Sequence, residues 1–403
     1  MKKRFTFLAL LLLFTLQTQT YEAVIIKPVV DALGQPYSQT TLNACGFAPY
    51  NFIPHSFGSL KSDRTVCPRI HQFIFNERVN VIKETHDEVL VESKDSVYLD
   101  SGSNTHQTYW IAKESVCALH ELELNGINPN RCIPSTLDQQ LSQPMVHRVI
   151  TLLIPFVNPI TKQTYSAGTR FVYVGDDITS WYVNTFNIHS FQTQVLQLPK
   201  KVGLDSYHNQ DQRSLFVKII KLYAGSNSHY FAPLVFGGSS LTAFCDNDAF
   251  DLVSIIDKKG EEYTYWVRKA LKHPASGFDA SSLVLRAAQI VGINYHYKNS
   301  KTAAQFLPVI QAARDIQIGD IIYIPGSLLV ISDVKNNTAI TAYSYAAGYG
   351  RVIELPLHKI FKDIHTYDEL WHHYYNNLPL TILTKDGNKS RTINTFSIHK
   401  LPA

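Results

Sequence analysis

Apolar and polar positions divide the chain into a strand-rich first half and a second half that begins with helices. In the first half, short runs rich in β-branched and aromatic residues alternate with turn-rich segments, which is typical of strands. Because this half lacks a long amphipathic helix, the pattern predicts two small β-barrels in tandem, at residues 22–120 and 145–200, joined by a linker at 121–144. The clearest runs are residues 78–84, 88–93, 107–113, 149–159, 169–177 and 180–186.

After residue 201 the apolar period changes to the helical one. Residues 214–225 and 281–292 predict two helices, each ended by a glycine, and residues 302–310 a short helical piece interrupted by proline. The residues predicted to form the buried face of the first helix are Leu215, Ile219 and Leu222, broadened by Val217 and Ile220.

Four short apolar runs follow these helices, at residues 321–324, 328–334, 339–345 and 351–355, with turn signals between them. Helices followed by an antiparallel meander predict an α+β domain over residues 205–385, with a tail at 386–403. The chain is therefore predicted to be multidomain.

Residues 1–20 run from charged to apolar to polar, which is the order of a secretory signal peptide. The apolar run of about twelve residues is too short to span a bilayer roughly 30 Å thick, although a retained anchor is the alternative. No later stretch reaches the ~18 apolar residues of a membrane span. We therefore expect export to the periplasm or the extracellular space, and a Gram-negative source.

Export makes disulfides possible, and four of the five cysteines lie in the first third of the chain. Cys45, Cys67, Cys117 and Cys132 allow three connectivities, of which we favour Cys45–Cys67 with Cys117–Cys132 because each bridge closes a short loop. Cys245 is left over. No pair has C-x-x-C spacing, so the cysteines predict no zinc site.

Composition excludes several classes of function. With 45% hydrophobic and 17% charged residues the chain is globular rather than disordered. A net charge of +4 without clustered Lys or Arg predicts no binding to nucleic acid. Of the sixteen histidines, His358, His365 and His372 are seven residues apart and could share a helix face, but they are best interpreted as solvated surface residues rather than metal ligands. We expect no cofactor and no metal.

Three stretches resemble, in order, the motifs of NlpC-type (papain-like) cell-wall cysteine peptidases. PLVFGG at residues 233–238 is similar to P-Y-x-W-G-G, and GFDASSLV at 277–284 to G-x-D-C-S-G-L-V. IQIGDIIYIPGSLLVIS at 316–332 is similar to L-x-x-G-D-[LI]-[IV]-[FW] followed by G-H-V-x-[IM]. YWIAKESV at 109–116 resembles the closing strand of a bacterial SH3-like domain.

The resemblance covers most of residues 25–385. It implies two SH3-like barrels followed by a papain-like α+β domain. Enzymes of this family cut the bond between D-glutamate and the diamino acid of peptidoglycan stem peptides.

The same motifs differ from the family at the reactive positions. In register, the family's nucleophilic Cys, general-base His, orienting residue and Tyr correspond to Ala280, Ser327, Thr341 and Leu234. A methyl group has no lone pair for attack, and a serine hydroxyl cannot act as a base near neutral pH. The resemblance therefore implies a pseudoenzyme, and it predicts that residues 280, 327 and 341 converge in one cleft.

Two functions remain open from the sequence. The first is an exported pseudoenzyme that binds a peptidoglycan stem peptide or a protein partner. The second is an active endopeptidase with a non-standard catalytic set, and a secreted factor acting on a host is a weaker third. The remaining residues expected in the cleft are Phe236, Gly237, Asp279, Ser281 and Tyr343.

Overall fold

The computed structural model of the chain describes most of the sequence from residue 20 onward. The described ranges are 20–36, 69–100, 102–137, 139, 148–205, 211–226, 228–246, 250–256, 262–268, 276–344 and 347–402. The predicted signal peptide (apart from residue 20), Cys45 and Cys67 lie outside these ranges. None of the described helices is both long and apolar enough to cross a membrane.

The first part of the chain forms an antiparallel sheet. Its strands and an adjoining hairpin are β1 Tyr21–Ile25, β2 Val29–Leu33, β3 Arg69–Ile74, β4 Arg78–Glu84, β5 Glu88–Glu92, β6 Tyr98–Leu99, β7 Thr105–His106, β8 Thr108–Ala112 and β9 Val116–Ala118. Seven of them pair in the order β3-β2-β8-β5-β4-β1-β9. The edge strands β3 and β9 do not pair, so the described strands form an open sheet and not the closed barrel that was predicted.

A second antiparallel sheet follows. Its strands and a short hairpin are β10 Val149–Leu152, β11 Phe156–Val157, β12 Thr164–Tyr165, β13 Arg170–Asp176, β14 Ser180–Asn187, β15 Gln192–Pro199 and β16 Gly203–Asp205. Five of them pair in the order β15-β14-β13-β10-β16, and β11 pairs with β12. The described strands of this sheet also leave two edges open.

The segment predicted as a linker contains two short helices, α1 Leu119–Leu124 and α2 Pro129–Cys132. Their buried residues pack in one apolar cluster with residues of the second sheet, among them Leu122, Ile133 and Phe186. The two sheets are thus joined through a shared core.

The last part of the chain combines helices with a third sheet. Its helices are α3 Gln212–Ala224, α4 Ala280–Val291, α5 Ser300–Phe306, α6 Leu357–Ile360 and α7 Tyr367–Tyr375. Its strands are β17 Ser239–Ser240, β18 Phe250–Ile256, β19 Glu262–Arg268, β20 Gly277–Phe278, β21 Ile321–Ile324, β22 Ser327–Asp333, β23 Thr338–Tyr343, β24 Arg351–Pro356, β25 Leu380–Leu383, β26 Lys389–Ile393 and β27 Ser397–His399. The prediction of a mixed α+β chain is confirmed.

The main sheet of this part has the order β24-β23-β22-β21-β27, all antiparallel. Helices α3 and α4 cover one of its faces in a common apolar core. The predicted tail at residues 386–403 contributes two strands. β26 forms a hairpin with β25, and β27 is the edge strand beside β21.

The buried face of α3 differs from the one predicted. Leu222 is 44% exposed, whereas Phe216, Ile219, Ile220 and Tyr223 are buried. These four have the spacing i, i+3, i+4, i+7, and the two aromatic residues centre the apolar stripe away from Leu222. The predicted end is confirmed, because Gly225 has a φ of 66° in the left-handed region.

The predicted Cys117–Cys132 bridge is not formed. Both cysteines are buried free thiols, and they contact different partners: the Cys117 thiol donates to Glu121, and the Cys132 thiol to Thr193. Burial raises the pKa of Cys117 to about 12 and raises that of Cys132 as well. The short loop between them made a bridge plausible from spacing alone, but sequence spacing does not orient the two Cβ atoms.

The first sheet contacts the third part of the chain directly at two places. β3 lies against β17, where the backbone N–H of Gln72 donates to the Ser239 hydroxyl over 2.8 Å. Before β6, the Val97 N–H donates to the His296 carbonyl and the Lys298 N–H to the Val97 carbonyl, both over 2.7 Å. Both contacts lie near the start of α4: Ser239 follows the 233–238 segment, and Lys298 forms an ion pair with Asp279.

Candidate functional site

A cavity of about 370 Å³ opens beside the first residue of α4. Sites for small ligands commonly measure about 300–1,000 Å³. Its walls come from the 234–236 segment, the start of α4, strands β21 to β23, α6 and the β25–β26 hairpin. The lining residues that the following argument uses are Leu234, Phe236, Asp279, Ala280, Ser327, Thr341, Tyr343, Ile382, Ser390 and Arg391.

Asp279 fixes the start of α4. Its Oδ1 accepts hydrogen bonds from the Ser282 backbone N–H over 2.7 Å and from the Ser282 hydroxyl over 2.8 Å, so it is the N-cap. Its Oδ2 accepts from the Lys298 ammonium over 2.9 Å, and the Lys298 side chain is only 2% exposed. Ala280 is therefore the first helical residue, and its methyl group faces the cavity.

Close backbone packing positions the wall at residues 233–238. The Phe278 N–H donates to the Pro233 carbonyl and the Val235 N–H to the Phe278 carbonyl, which holds this segment beside α4. Gly237 has a φ of 67°, and a Cβ there would lie 2.1 Å from the Arg69 carbonyl oxygen. Glycine is required at this position because both the backbone conformation and the close approach exclude a side chain.

Buried polar groups of the first sheet support the same wall. The Arg69 guanidinium donates to Asp31 over 2.7 Å and to the Phe236 carbonyl over 3.0 Å, and both side chains of the ion pair are fully buried. The His71 Nδ1 lies 2.9 Å from the Ser239 hydroxyl. The pKa of His71 is held well below 6.5, first by burial and then by the positive charges of Lys298 and Arg286.

The hydroxyl groups of Thr341 and Ser327, which both line the cavity, differ in whether they already donate a hydrogen bond to the protein. Thr341 donates its hydroxyl to the Leu328 carbonyl over 2.7 Å, so this group is committed to the sheet. Ser327 follows the turn between β21 and β22, and within the described part of the chain its hydroxyl makes no hydrogen bond. Ser327 can therefore donate to a ligand, whereas Thr341 already has an acceptor.

A search of solved structures shows which fold the chain has. An NlpC/P60 family protein from Bacillus cereus is similar over 95% of this chain and 100% of its own length, at 13% sequence identity and a TM-score of 0.52. NlpC2 from Trichomonas vaginalis is similar over 96% of this chain and 99% of its own, at 11% identity and a TM-score of 0.32. The chain has an NlpC/P60-type fold. No sequence model of a known family and no curated protein matches it.

Within this NlpC/P60-type fold, the residues predicted to converge lie together. Ala280, Ser327, Thr341 and Leu234 all line the cavity, as do Phe236, Asp279 and Tyr343. Two further residues that were expected in the cleft are not part of the lining. They are Gly237, which packs against Arg69, and Ser281, which is 7% exposed on α4.

The β25–β26 hairpin is the part of the site that sequence reasoning missed. Ile382, Ser390 and Arg391 line the cavity from this hairpin. The Tyr343 hydroxyl holds the hairpin in place by donating to the Leu383 carbonyl over 3.1 Å. Burial raises the pKa of Tyr343, so this hydroxyl keeps its proton. The sequence contained a signal for this hairpin. Asp386-Gly387 is a turn dipeptide between two runs that alternate in polarity.

The side chains that line the cavity set what it can do chemically. Among the described residues they supply hydroxyl groups, one carboxylate, one guanidinium and a majority of apolar surface, but no thiol and no imidazole. Such a set binds ligands through hydrogen bonds, charge and apolar contact. The described residues contain no group of three or more His, Cys, Asp or Glu side chains placed to hold a metal. His358 and His365, two of the histidines whose spacing raised the question of a metal site, stack on each other with their ring centroids 5.7 Å apart.

Proposed function

We propose that this chain is an exported peptidoglycan-associated pseudoenzyme that binds stem peptides in its cavity without cutting them. The observation that carries the proposal is the convergence of Ala280, Ser327 and Thr341 on one cavity. Covalent thiol catalysis needs a nucleophile activated by an adjacent base. Here a methyl group occupies the first residue of α4, and a serine occupies the facing strand.

The surrounding structure supports binding rather than turnover. Asp279 has hydrogen-bond partners for both carboxylate oxygens, and Thr341 donates to the sheet. Three of the about four acceptor sites of the Asp279 carboxylate are occupied, and the Thr341 proton is committed to a carbonyl, so both groups serve the scaffold first. The cavity remains open, with apolar walls and free hydroxyl groups, which is what a ligand site requires.

We further propose that the two N-terminal sheets belong to divergent SH3-like domains, at residues 22–120 and 145–200, and that residues 1–20 direct export. The strand-rich pattern and the NlpC-type motifs support the first proposal. The charged, apolar and polar order of residues 1–20 supports the second. In this arrangement the first sheet stiffens the cavity wall through Arg69.

Binding to purified sacculi tests the proposal. We expect the exported form of the chain to co-sediment with sacculi, and a soluble stem peptide to compete. Ala280→Trp would fill the cavity, so we expect that the soluble stem peptide no longer competes with sacculi for this variant. Gln305→Trp, at an exposed position of α5, should leave the competition unchanged. Failure of the wild-type protein to bind either sacculi or stem peptide would contradict the proposal.

Digestion of the same sacculi addresses the alternative of an active hydrolase. We expect no stem-peptide fragments beyond those of a buffer control, measured by mass spectrometry of the soluble fraction. Fragments that appear with the wild type and disappear with Ser327→Ala would establish the hydrolase and reject the pseudoenzyme.

A further inference from the structure

Arg391 is a positive charge of the cavity that has no acidic partner among the described residues. Its guanidinium donates one hydrogen bond, to the Pro325 carbonyl over 2.8 Å, and no described carboxylate lies within ion-pairing distance of it. Asp279, the acidic residue of the lining, already binds Ser282 and Lys298. The described lining therefore presents one uncompensated cation to a ligand.

Two hydroxyl groups with hydrogen-bonding capacity left over among the described residues line the same cavity, those of Ser327 and Ser390. Pro325 belongs to the turn that precedes Ser327, so the hydrogen bond to its carbonyl holds Arg391 beside that turn. Ser390 is the neighbour of Arg391 on β26. Neither serine hydroxyl has a hydrogen-bond partner within the described ranges. Guanidinium and hydroxyl groups together form a set of donors suited to an anionic oxygen.

The backbone of the hairpin holds these donors in place. Arg391 pairs with Ile382 in the β25–β26 register. The hairpin is fastened to the end of β23 by the bond from Tyr343 to Leu383, and to the loop after β23 by the Lys385 N–H, which donates to the Ala347 carbonyl over 2.8 Å. The bond to Pro325 also holds the far end of the Arg391 side chain, which then loses less entropy when it binds a ligand.

The charge and shape of the cavity indicate the chemical class of the ligand. Apolar side chains make up the rest of the wall near the hairpin, including Ile324, Ile360 and Ile382. One guanidinium with neutral hydroxyl groups balances a single negative charge, whereas a phosphate monoester carries about −1.5 to −2. A carboxylate on a partly apolar molecule fits this environment better than a phosphate.

We propose that Arg391, with Ser327 and Ser390, forms a carboxylate subsite that holds a free carboxylate of a bound peptide. This inference rests on the proposed function for the identity of the peptide. The subsite by itself predicts only that the cavity binds a carboxylate more tightly than the corresponding amide, and that Arg391 is the group responsible.

Titration calorimetry with two pairs of probes tests the subsite. The first pair is the tripeptide L-Ala-γ-D-Glu-diaminopimelate and its analogue with amidated carboxylates. The second pair, unrelated to peptidoglycan, is N-acetylphenylalanine and its amide. We expect the acids to bind more tightly than the amides, and Arg391→Gln to weaken binding of the acids about tenfold without changing that of the amides.

Lys389→Gln is the matched control, because it removes the same charge from a residue of the same strand that is exposed like Arg391 but does not line the cavity. We expect its affinity to stay within about twofold of the wild type, since its charge lies outside the cavity and is screened by solvent. Circular dichroism of both variants checks that the hairpin and the sheet are retained.

The outcomes separate the two proposals. If the tripeptide binds equally well as acid and amide, and Arg391→Gln has no effect, the subsite is rejected while stem-peptide binding stands. If only N-acetylphenylalanine binds in an Arg391-dependent manner, the subsite stands and the muropeptide proposal fails. If neither acid binds the wild type, both are rejected.

Discussion

Two regions flank the start of α4, and they use their polar groups in opposite ways. Toward the first sheet, the buried charges occur in pairs: Asp31 with Arg69, Glu77 with Arg286, and Asp279 with Lys298. Toward the cavity, Ser327, Ser390 and Arg391 have polar groups left over. We call the first region the junction and the second the cavity.

The difference follows from solvation. In the junction the cation of each pair, Arg69, Arg286 or Lys298, has a side chain at most 3% exposed, so leaving it unpaired would cost several kcal/mol. In the cavity water or a ligand can satisfy the same groups at little cost. The junction therefore maintains the shape of the site, while the cavity keeps the capacity to bind. Substitutions in the two regions should separate stability from ligand affinity.

Breaking the deepest pair of the junction should give the largest effect. Arg69→Met leaves the Asp31 carboxylate buried without its cation, and we expect the free energy of unfolding to fall by about 3–5 kcal/mol. Urea denaturation followed by circular dichroism measures this.

Lys113→Met is the control for that variant. It breaks the pair of Lys113 with Glu84, whose side chains are 48% and 35% exposed, and should cost less than about 1 kcal/mol. The double variant Asp31→Leu/Arg69→Met should recover much of the loss, because no buried charge remains. Equal losses for the buried and exposed pairs would contradict the distinction between the regions.

Asp279 lies between the two regions and should give the next largest effect. Asp279→Ala removes the cap of α4, worth about 1 kcal/mol, and leaves the buried Lys298 unpaired, for a total loss of about 2–3 kcal/mol. Asp279→Asn keeps a capping oxygen and should lose less. Thermal unfolding of both variants measures the difference, and an equal loss would show that the cap contributes nothing and that the loss comes from leaving Lys298 unpaired.

The junction should also make stability depend on pH through His71. The folded state holds its pKa well below 6.5, whereas the unfolded chain binds the proton near 6.5. As pH falls below about 6.5, only the unfolded state gains this proton, so stability decreases by at most about 1.4 kcal/mol per pH unit, and it is unaffected above about 7.5.

His71→Asn isolates this contribution, because the amide can still hydrogen-bond Ser239 but does not titrate. Denaturation midpoints between pH 5 and pH 8 should converge for the two proteins at the acidic end of the range. The remaining histidines and carboxylates are common to both and cancel. Parallel pH profiles would show that His71 is protonated in the folded state too.

The helices and strands around the site could be predicted from the sequence where their pattern is local. The start of α4 follows from an Asp before an apolar helical stripe, and β21 to β24 from short apolar runs with turns between them. The convergence of Ala280, Ser327 and Thr341 came from a motif resemblance, since sequence pattern alone does not say which strand lies beside which helix.

The rest of the site depends on tertiary contacts that the sequence pattern does not specify. Arg69 supports the wall at Phe236 across 167 residues of chain. The hairpin with Arg391 looked like a tail because its strands are short and β26 is mostly exposed. The apolar face of α3 was misplaced by one position of the helix, because Leu222 and Tyr223 are both apolar enough to be buried and only packing decides between them.

Introducing the residues that the NlpC-type motifs have at positions 280 and 327 should have the smallest effect on stability. Ala280→Cys with Ser327→His changes two partly exposed side chains around an open space, so we expect the free energy of unfolding to change by no more than about 0.5 kcal/mol. Ala280→Ser with Ser327→His is the matched control without a thiol. A large fall in melting temperature for both double variants, absent from Ser327→His alone, would mean that position 280 is packed and not open to the cavity.

The reactivity of the new thiol then reports the electrostatics at the start of α4. A thiolate at the first helical residue, beside an introduced histidine, should have a pKa below the usual ~8.5 and alkylate fast near neutral pH. Cys117, Cys132 and Cys245 are poor competitors, because burial raises the pKa of each. Subtracting the alkylation rate of the serine control isolates the rate of the introduced thiol. If that rate is no higher than for a buried cysteine, the cavity lacks the environment that thiol catalysis requires, and introducing the two residues would not be enough to create an enzyme.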